Sequence, residues 1–463
     1  MPALDTKAIL QGRKPGRSTS LTIGIIVGTL CTLGMIGYLL LSGLAQGGVH
    51  GILGFLLSVL AAVIPVAILI PLILLLDRLE PEPGPVLVFA FLWGAGVAVV
   101  VSFILNTLGM EEIAVPVFGA DLGHMLSTAV GAPLVEESAK GIVLLLLLWR
   151  RRHEIDSFTD GVTYAAMVAT GFAFTENVLY FLSSFFAEGF FGLVFTFVLR
   201  GLVAPFGHPL YTSMIGIGVA YAAMNRGALR FLAPVAGWVA AVLLHALWNG
   251  STFFGWVGLG AAYLVLFFVL LGIVVIAVQD RRNQVAAISH YLPTYTSTGL
   301  VTPADIRMLS SMKGRRGARL WAQRNAGQRG RQAMKDYQLA ATELALLHQR
   351  LDRGVARPHW EGRRDSFLAL MHVAREAFLG RVQQPVAPGW AANPTDSGFL
   401  KRADFAHVIA GAQGQREQRS APRRQPGGGH PQQGHGSQGP GTPPSGGWPP
   451  QGPQGPGGPY PGR

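Results

Sequence analysis

The chain has 463 residues, of which 50% are apolar and only 13% charged. Soluble domains carry about 25% charged residues, so an ordinary soluble enzyme is excluded. A lone cysteine, Cys31, excludes a disulfide framework and any site built of several thiolates. The formal charge of +12 joins two unlike parts: residues 1–280 hold 12 Lys and Arg against 15 Asp and Glu, and residues 281–463 hold 25 against 10.

Residues 1–20 read as a polar N-terminal arm carrying Lys7, Arg13, Lys14 and Arg17. A helix needs roughly 20 apolar residues to cross a bilayer. Eight runs qualify, at 21–44, 51–76, 84–106, 125–149, 161–185, 205–224, 231–250 and 254–278. The stretch 189–204 is apolar but short, contains Arg200 and Gly201, and runs into Pro205. It reads as a re-entrant or interfacial segment, or as the first part of a broken helix, with a ninth span as the alternative. Lys and Arg gather in cytoplasmic loops. They occur in the arm, at Arg150-Arg151-Arg152, at Arg226 and Arg230, and at Arg281 and Arg282, whereas the loops near 45–50, 107–124, 185–189 and 251–253 have none. Eight spans place every basic loop and both termini in the cytoplasm, with Arg200 as the exception. The first run is long for a secretory signal and reads as a retained anchor. The expected fold class is all-α: a polytopic transmembrane helical bundle of about eight spans over residues 21–280.

Residues 281–382 read as a basic, partly helical cytoplasmic region. Apolar residues recur at near-helical spacing over Met334–Leu351 and Phe367–Val382. Residues 383–463, rich in Gly, Pro and Gln from about 413, have too little apolar surface to fold and read as disordered. The positive charge predicts adhesion to anionic lipids of the inner leaflet. No nucleic-acid motif is present, so no nucleic-acid partner is expected.

Ionisable groups within a membrane helix are costly and mark function. Here they are Glu136, Glu137 and Lys140 in VEESAKG, Glu176 and Asn177 in GFAFTEN, His208 in FGHPLYTS, and His245 with Asn249 in LLHALWNGS. At 1.5 Å per residue, Glu137, Glu176, His208 and His245 lie about 18 to 24 Å from the cytoplasmic ends of their helices. Four helices therefore bring polar groups to one level. Glu136 and Lys140 share a face at i,i+4, as do His245 and Asn249. Two adjacent carboxylates in a low dielectric resist joint ionisation, and Lys140 can neutralise one of them. A carboxylate taking a proton from water beside imidazole and amide donors is a water-activating arrangement.

Blander readings stand beside this one. The Glu–Lys pair can be a packing salt bridge or an ion relay, His208 can satisfy carbonyls at a helix break, Asn177 can be interhelical glue, and Phe172 can be packing. A transporter would show inverted repeats with matching broken helices; the chain has one broken segment and no second EExxK. Zinc ligand spacing is poor, since there is no HExxH and no pair of His at i,i+4.

The ordered set EExxK, FxxxE, a lone His and HxxxN, each in its own apolar segment, resembles the PrsW family of bacterial intramembrane proteases. Asp77-Arg78-Leu79-Glu80-Pro81-Glu82-Pro83 is similar to that family's DxxEPEP element, and Asp160-Gly161 leading into GFAFTEN also resembles the family. The likeness covers roughly residues 60–280. It extends to the CAAX-type prenyl proteases and bacteriocin-immunity membrane proteins, whose second motif ends in His where this chain has Glu176. The resemblance implies an endopeptidase of the bacterial plasma membrane that cuts a membrane-anchored protein, the best-known family substrate being an anti-sigma factor. It also implies residue roles. Glu136 and Glu137 would be the catalytic carboxylates, with the general base among them. Glu176 would be a second acid/base, and His208 and His245 would polarise the carbonyl or hold water. Asn249 would donate to the oxyanion, with Lys140 and Asn177 in support. The family has been described both as metalloproteases and as metal-independent glutamic proteases. The spacing here favours the glutamic type with no cofactor; a zinc, if bound, would fall to His208, His245 and Glu176.

Overall fold

The structure, a computed structural model, describes residues 19–76, 81–355 and 360–379. The arm through residue 18, the Asp77–Glu80 half of the DRLEPEP turn and the Gly/Pro/Gln-rich tail lie outside the described residues.

Among the described residues every regular element is helical. Helix α1 (Thr19–Leu76) has 58 residues, and straight it would run about 87 Å, nearly three hydrocarbon cores. It bends instead at Gly48, whose φ of 56° favours glycine. The two arms then return so closely that a Cβ on Gly51 would lie 1.9 Å from the Gly43 carbonyl. Helix α2 (Gly84–Phe118) contains wide π-type turns at Trp93–Ala98 and Gly109–Ala114. It is followed by a short helix Ala120–Leu126 and by α3 (Ala132–Arg151). Helix α4 (Phe158–Phe197) bends at Glu188 and Gly189. Its returning piece ends in a π-type turn at Val198–Val203. Then come α5 (Gly207–Met224), α6 (Leu229–Ser251) and α7 (Gly255–Tyr291).

Two expected loops are corrected. The 107–124 stretch is helical to Phe118 and turns only at Gly119; the absence of basic residues there carried information about side, not about backbone. The last membrane helix runs past 278 to Tyr291, because nothing before Pro293 breaks it. The stretch 189–204 is a helix that turns back at Gly189 and stops at Ala204. Residues 190–203 reach about 21 Å, short of a hydrocarbon core of roughly 30 Å.

By length and composition, Thr19–Leu76, Gly84–Phe118, Phe158–Met224 and Leu229–Thr298 can cross a membrane. Their outer faces are apolar: Leu60 is 65% exposed, Leu243 63% and Val257 85%. Such a continuous apolar belt suits lipid and not water. The bundle is an all-helical membrane fold, as its composition implies.

Helix α4 is the axis of the body, with Thr159–Ala173 buried throughout. Small residues let its neighbours approach. A Cβ on Gly171 would lie 2.0 Å from the Phe91 carbonyl in α2, and one on Gly161 would lie 2.2 Å from the Gly216 carbonyl in α5. Ala165, Ala166 and Ala169 are buried on the same helix. Within the π-type turn of α2, the Ala95 carbonyl accepts from Thr175 Oγ1 of α4 at 2.7 Å. The Trp93 indole donates to the Ala139 carbonyl of α3 at 3.0 Å. These contacts fix α2, α3 and α4 as one frame.

Beyond α7, the helices α8 (Pro303–Leu309), α9 (Met312–Asp352) and α10 (Trp360–Phe378) build a second core around Leu309, Tyr337, Leu344, Met371 and Phe378.

Candidate active site

Helix α3 turns Glu136, Glu137 and Lys140 inward, and all three are buried. An ammonium has three N–H donors, and Lys140 finds a partner for each. Its Nζ lies 2.9 Å from Glu137 Oε1, 3.5 Å from Glu136 Oε2 and 3.0 Å from His208 Nδ1. It also sits 3.8 Å from the centre of the Phe172 ring, a cation–π contact. Because Lys140 only donates, His208 Nδ1 accepts. The His208 Nε2–H therefore points to Glu176 Oε2 at 2.9 Å.

The two carboxylates of the pair are not equivalent. Glu137 accepts from Lys140, from Thr212 Oγ1 at 2.8 Å and from His245 Nδ1 at 3.0 Å. The Nε2 of neutral His245 then carries the lone pair. Glu136 is held loosely, by Asn106 Nδ2 at 3.3 Å and by Lys140, and its Oε2 faces His245 Nε2 across 3.9 Å. Tyr211, one turn along α5 from His208, stacks on His245 with ring centres 4.8 Å apart. The Tyr211 side chain is 1% exposed, and its hydroxyl has no hydrogen-bond partner among the described residues. A buried unpaired donor costs about 1–3 kcal/mol.

On the far side, Glu176 and Asn177 of α4 are met by Arg200 from the returning segment. Arg200 pairs with Glu176 and donates Nε to Asn177 Oδ1 at 2.9 Å, while its guanidinium covers the Tyr180 ring at 4.0 Å. That pairing gives Arg200, the exception to the charge pattern, a carboxylate partner. A cleft of about 40 Å³ lies between Glu176, Arg200, His208, Tyr211, His245 and Asn249, room enough for water.

The fold thus gathers Glu136, Glu137, Lys140, Glu176, Asn177, His208 and His245 into one network. Asn249 lines the cleft, but its amide is spent on the Thr128 carbonyl at 3.0 Å. Phe172 packs, as its spacing implies, and also roofs the ammonium. Sequence reading did not place Asn106, Arg200, Tyr211 or Thr212 in the site. Arg200, a cation alone in an apolar run, was the one visible signal. The flanks that carry the family resemblance have structural partners: Asp160 forms a capping box with Ser157, and Glu82 accepts from the buried Tyr164 hydroxyl.

Glu136, His208 and His245 could supply one metal-ligand atom each, all within 4.8 Å of one another. These are zinc donors in kind. Glu176 lies instead on the opposite nitrogen of His208, so the carboxylate of this triad is Glu136 and not Glu176. As arranged, however, the Lys140 ammonium already holds the position between Glu136 and His208. A dication bound by the triad would have to share this position with the Lys140 ammonium, 3.0 Å from His208 Nδ1.

An apolar exterior enclosing a buried carboxylate–imidazole network defines a polytopic membrane protein with a polar internal site. Residues 82–277, spanning α2 to most of α7, match the PrsW family of intramembrane metalloproteases. The protease PrsW of Oceanobacillus iheyensis is 27% identical over 238 residues, 50% of this chain and 98% of that protein. The protease PrsW of Geobacillus kaustophilus is 32% identical over 157 residues, 34% of this chain and 62% of that protein. That of Clostridioides difficile is 33% identical over 124 residues, 27% of this chain and 50% of that protein. No solved structure matches the chain. Over these residues the chain is similar to the PrsW family of membrane proteases.

Proposed function

We propose that this chain is a glutamate-type intramembrane endopeptidase that hydrolyses a peptide bond of a membrane-anchored protein in a bacterial plasma membrane. The observation that carries the reading is the unequal carboxylate pair. Glu137 is saturated and orients His245. Glu136 is under-bonded and faces the free nitrogen of that histidine. Water held between Glu136 and His245 Nε2 loses its proton to Glu136 as its oxygen bonds to the substrate carbonyl carbon. The Tyr211 hydroxyl donates to the resulting oxyanion. The C–N bond then breaks, and Glu136 returns the proton to the leaving amine. Lys140 holds the carboxylates apart in charge and keeps His208 on Glu176. The loop charges support a cytoplasmic side for both termini.

The reading is tested in proteoliposomes with a panel of single-span substrates, comparing wild type with Glu136→Gln, Glu137→Gln and His245→Ala, each with and without chelator. The expected result is cleavage lost in the variants and untouched by chelator. Cleavage lost on chelation and restored by zinc overturns the metal-free mechanism and makes the histidines ligands. Cleavage equal in all proteins overturns the site.

A further inference from the structure

We propose that the junction between the membrane body and the C-terminal helices is a built site for a phosphate-bearing anion, supplied by the headgroup of an acidic phospholipid. A cavity of about 860 Å³ opens there, lined by Arg152, Arg226, Arg230, Arg350, Arg353 and Arg363 against one carboxylate, Asp156. Ligand sites run from about 300 to 1,000 Å³, so the space suits a headgroup.

The arginines come from four separate places: the turn after α3, the α5–α6 connection with the first turn of α6, the end of α9, and α10. A solvated basic face would come from one helix; convergence across the fold builds a pocket. Part of this charge is already fixed. Arg152 donates to the carbonyls of Ala222, Ala223 and Asn225, at 3.0 to 3.1 Å, closing the end of α5. Arg350 pairs with Asp156, the only acid among the described lining residues, and Arg363 lies 3.6 Å from Glu343. Arg226, Arg230 and Arg353 make no ion pair among the described residues. Guanidinium groups match phosphate oxygens two at a time. Three such groups lining one cavity without a direct ion pair, Asp280 being within Coulombic reach of Arg353 alone, are completed by a phosphate.

The source follows from what flanks the cavity. Leu229, Phe231 and Leu232 at the start of α6 are 61–66% exposed, and Phe231 itself lines the cavity. A free phosphate has no use for that apolar rim, whereas acyl chains do. The site is independent of the catalytic reading, since none of its residues lies in the carboxylate–imidazole network.

The test counts phosphatidylglycerol bound to the full chain in mixed micelles by native mass spectrometry. It compares wild type, the triple variant Arg226→Gln/Arg230→Gln/Arg353→Gln, and a charge-matched control, Arg316→Gln/Arg324→Gln/Arg329→Gln, on exposed positions of α9. Near a membrane each arginine contributes enough that the junction triple should bind roughly a hundredfold more weakly, with the control like wild type. If the glutamine triple does not fold, the same three positions as lysine are read instead, with binding expected about tenfold weaker. Equal weakening in both triples, or in neither, overturns the site in favour of diffuse adhesion. Full displacement of the lipid by millimolar inorganic phosphate overturns the lipid source. Lipid retained in phosphate but lost from the junction triple supports it.

Discussion

In the membrane body, the largest fully buried side chains include Lys140, Tyr164 and Tyr211, while Leu60, Leu243 and Val257 face outward. In the C-terminal helices, Tyr337, Leu344 and Met371 are inside, and arginines such as Arg316, Arg324 and Arg329 are exposed. Both regions are helical, so helix formation does not distinguish them. The solvent does. Water rewards the second region for burying leucine. Lipid gives the body no such reward, so close backbone approach and polar contacts hold it together. The body keeps a cluster of charges at its centre, whereas the C-terminal helices bury separate ones, such as Arg315 on the Leu309 carbonyl and Thr342.

The comparison breaks most sharply at Glu136. Glu136→Gln removes the proton acceptor while keeping shape, and turnover should fall by about a thousandfold or more, general base catalysis alone supplying 10²–10⁴. The melting midpoint should hold. A mutant that cuts at near wild-type rate would return the buried cluster to a packing role. Leu344→Ala is the opposite case. It empties space in an oil-like core and should destabilise the C-terminal helices by about 2–5 kcal/mol. Limited proteolysis of that region reads the loss, and cleavage per folded molecule should not change. If the whole chain melts together, the two regions are energetically one.

Tyr211→Phe sharpens the comparison within the body. It removes a hydroxyl without a partner, so stability should hold or rise slightly. If the hydroxyl meets the oxyanion, kcat should drop roughly 10- to 100-fold at constant KM. Unchanged kcat would leave the orphan group as a water site.

What the sequence made legible follows from spacing. Glu136, Glu137 and Lys140 lie within one helical turn, so their mutual contact needed no tertiary information. His208 and His245 could be matched to them only by depth, and the structure brings both imidazoles within hydrogen-bond distance of the cluster. Asn106, Tyr211 and Thr212 were invisible for a different reason. Each is common in a membrane helix, and each matters only because α2 and α5 bring it to α3. Arg200 was anomalous in sequence, but its partner is 24 residues away across a bend at Gly189. The same limit produced the misplaced loop at 107–124. Charge patterns report which side a segment occupies, and the backbone there stays helical through Gly109 and Pro116 and turns only at Gly119.

The smallest expected effect concerns Asp160-Gly161, a stretch that looks functional because it lies beside the GFAFTEN segment. The structure gives both residues a mechanical reason. Asp160 Oδ2 accepts from the Ser157 backbone N–H at 2.8 Å, and Ser157 Oγ accepts from the Asp160 N–H at 3.1 Å, a reciprocal cap on α4. Gly161 is where α5 comes closest. Ser157→Ala removes one side of the cap and should cost about 1 kcal/mol, seen as a melting midpoint a few degrees lower. Cleavage per folded molecule should stay at the wild-type value, because the cap lies about 28 Å along the helix from Glu176. The informative contrary result is lost cleavage with an unchanged midpoint. It would mean that the end of α4 carries the substrate and not merely the helix, and the line drawn here between a polar site and its apolar frame would have to move one whole helix length.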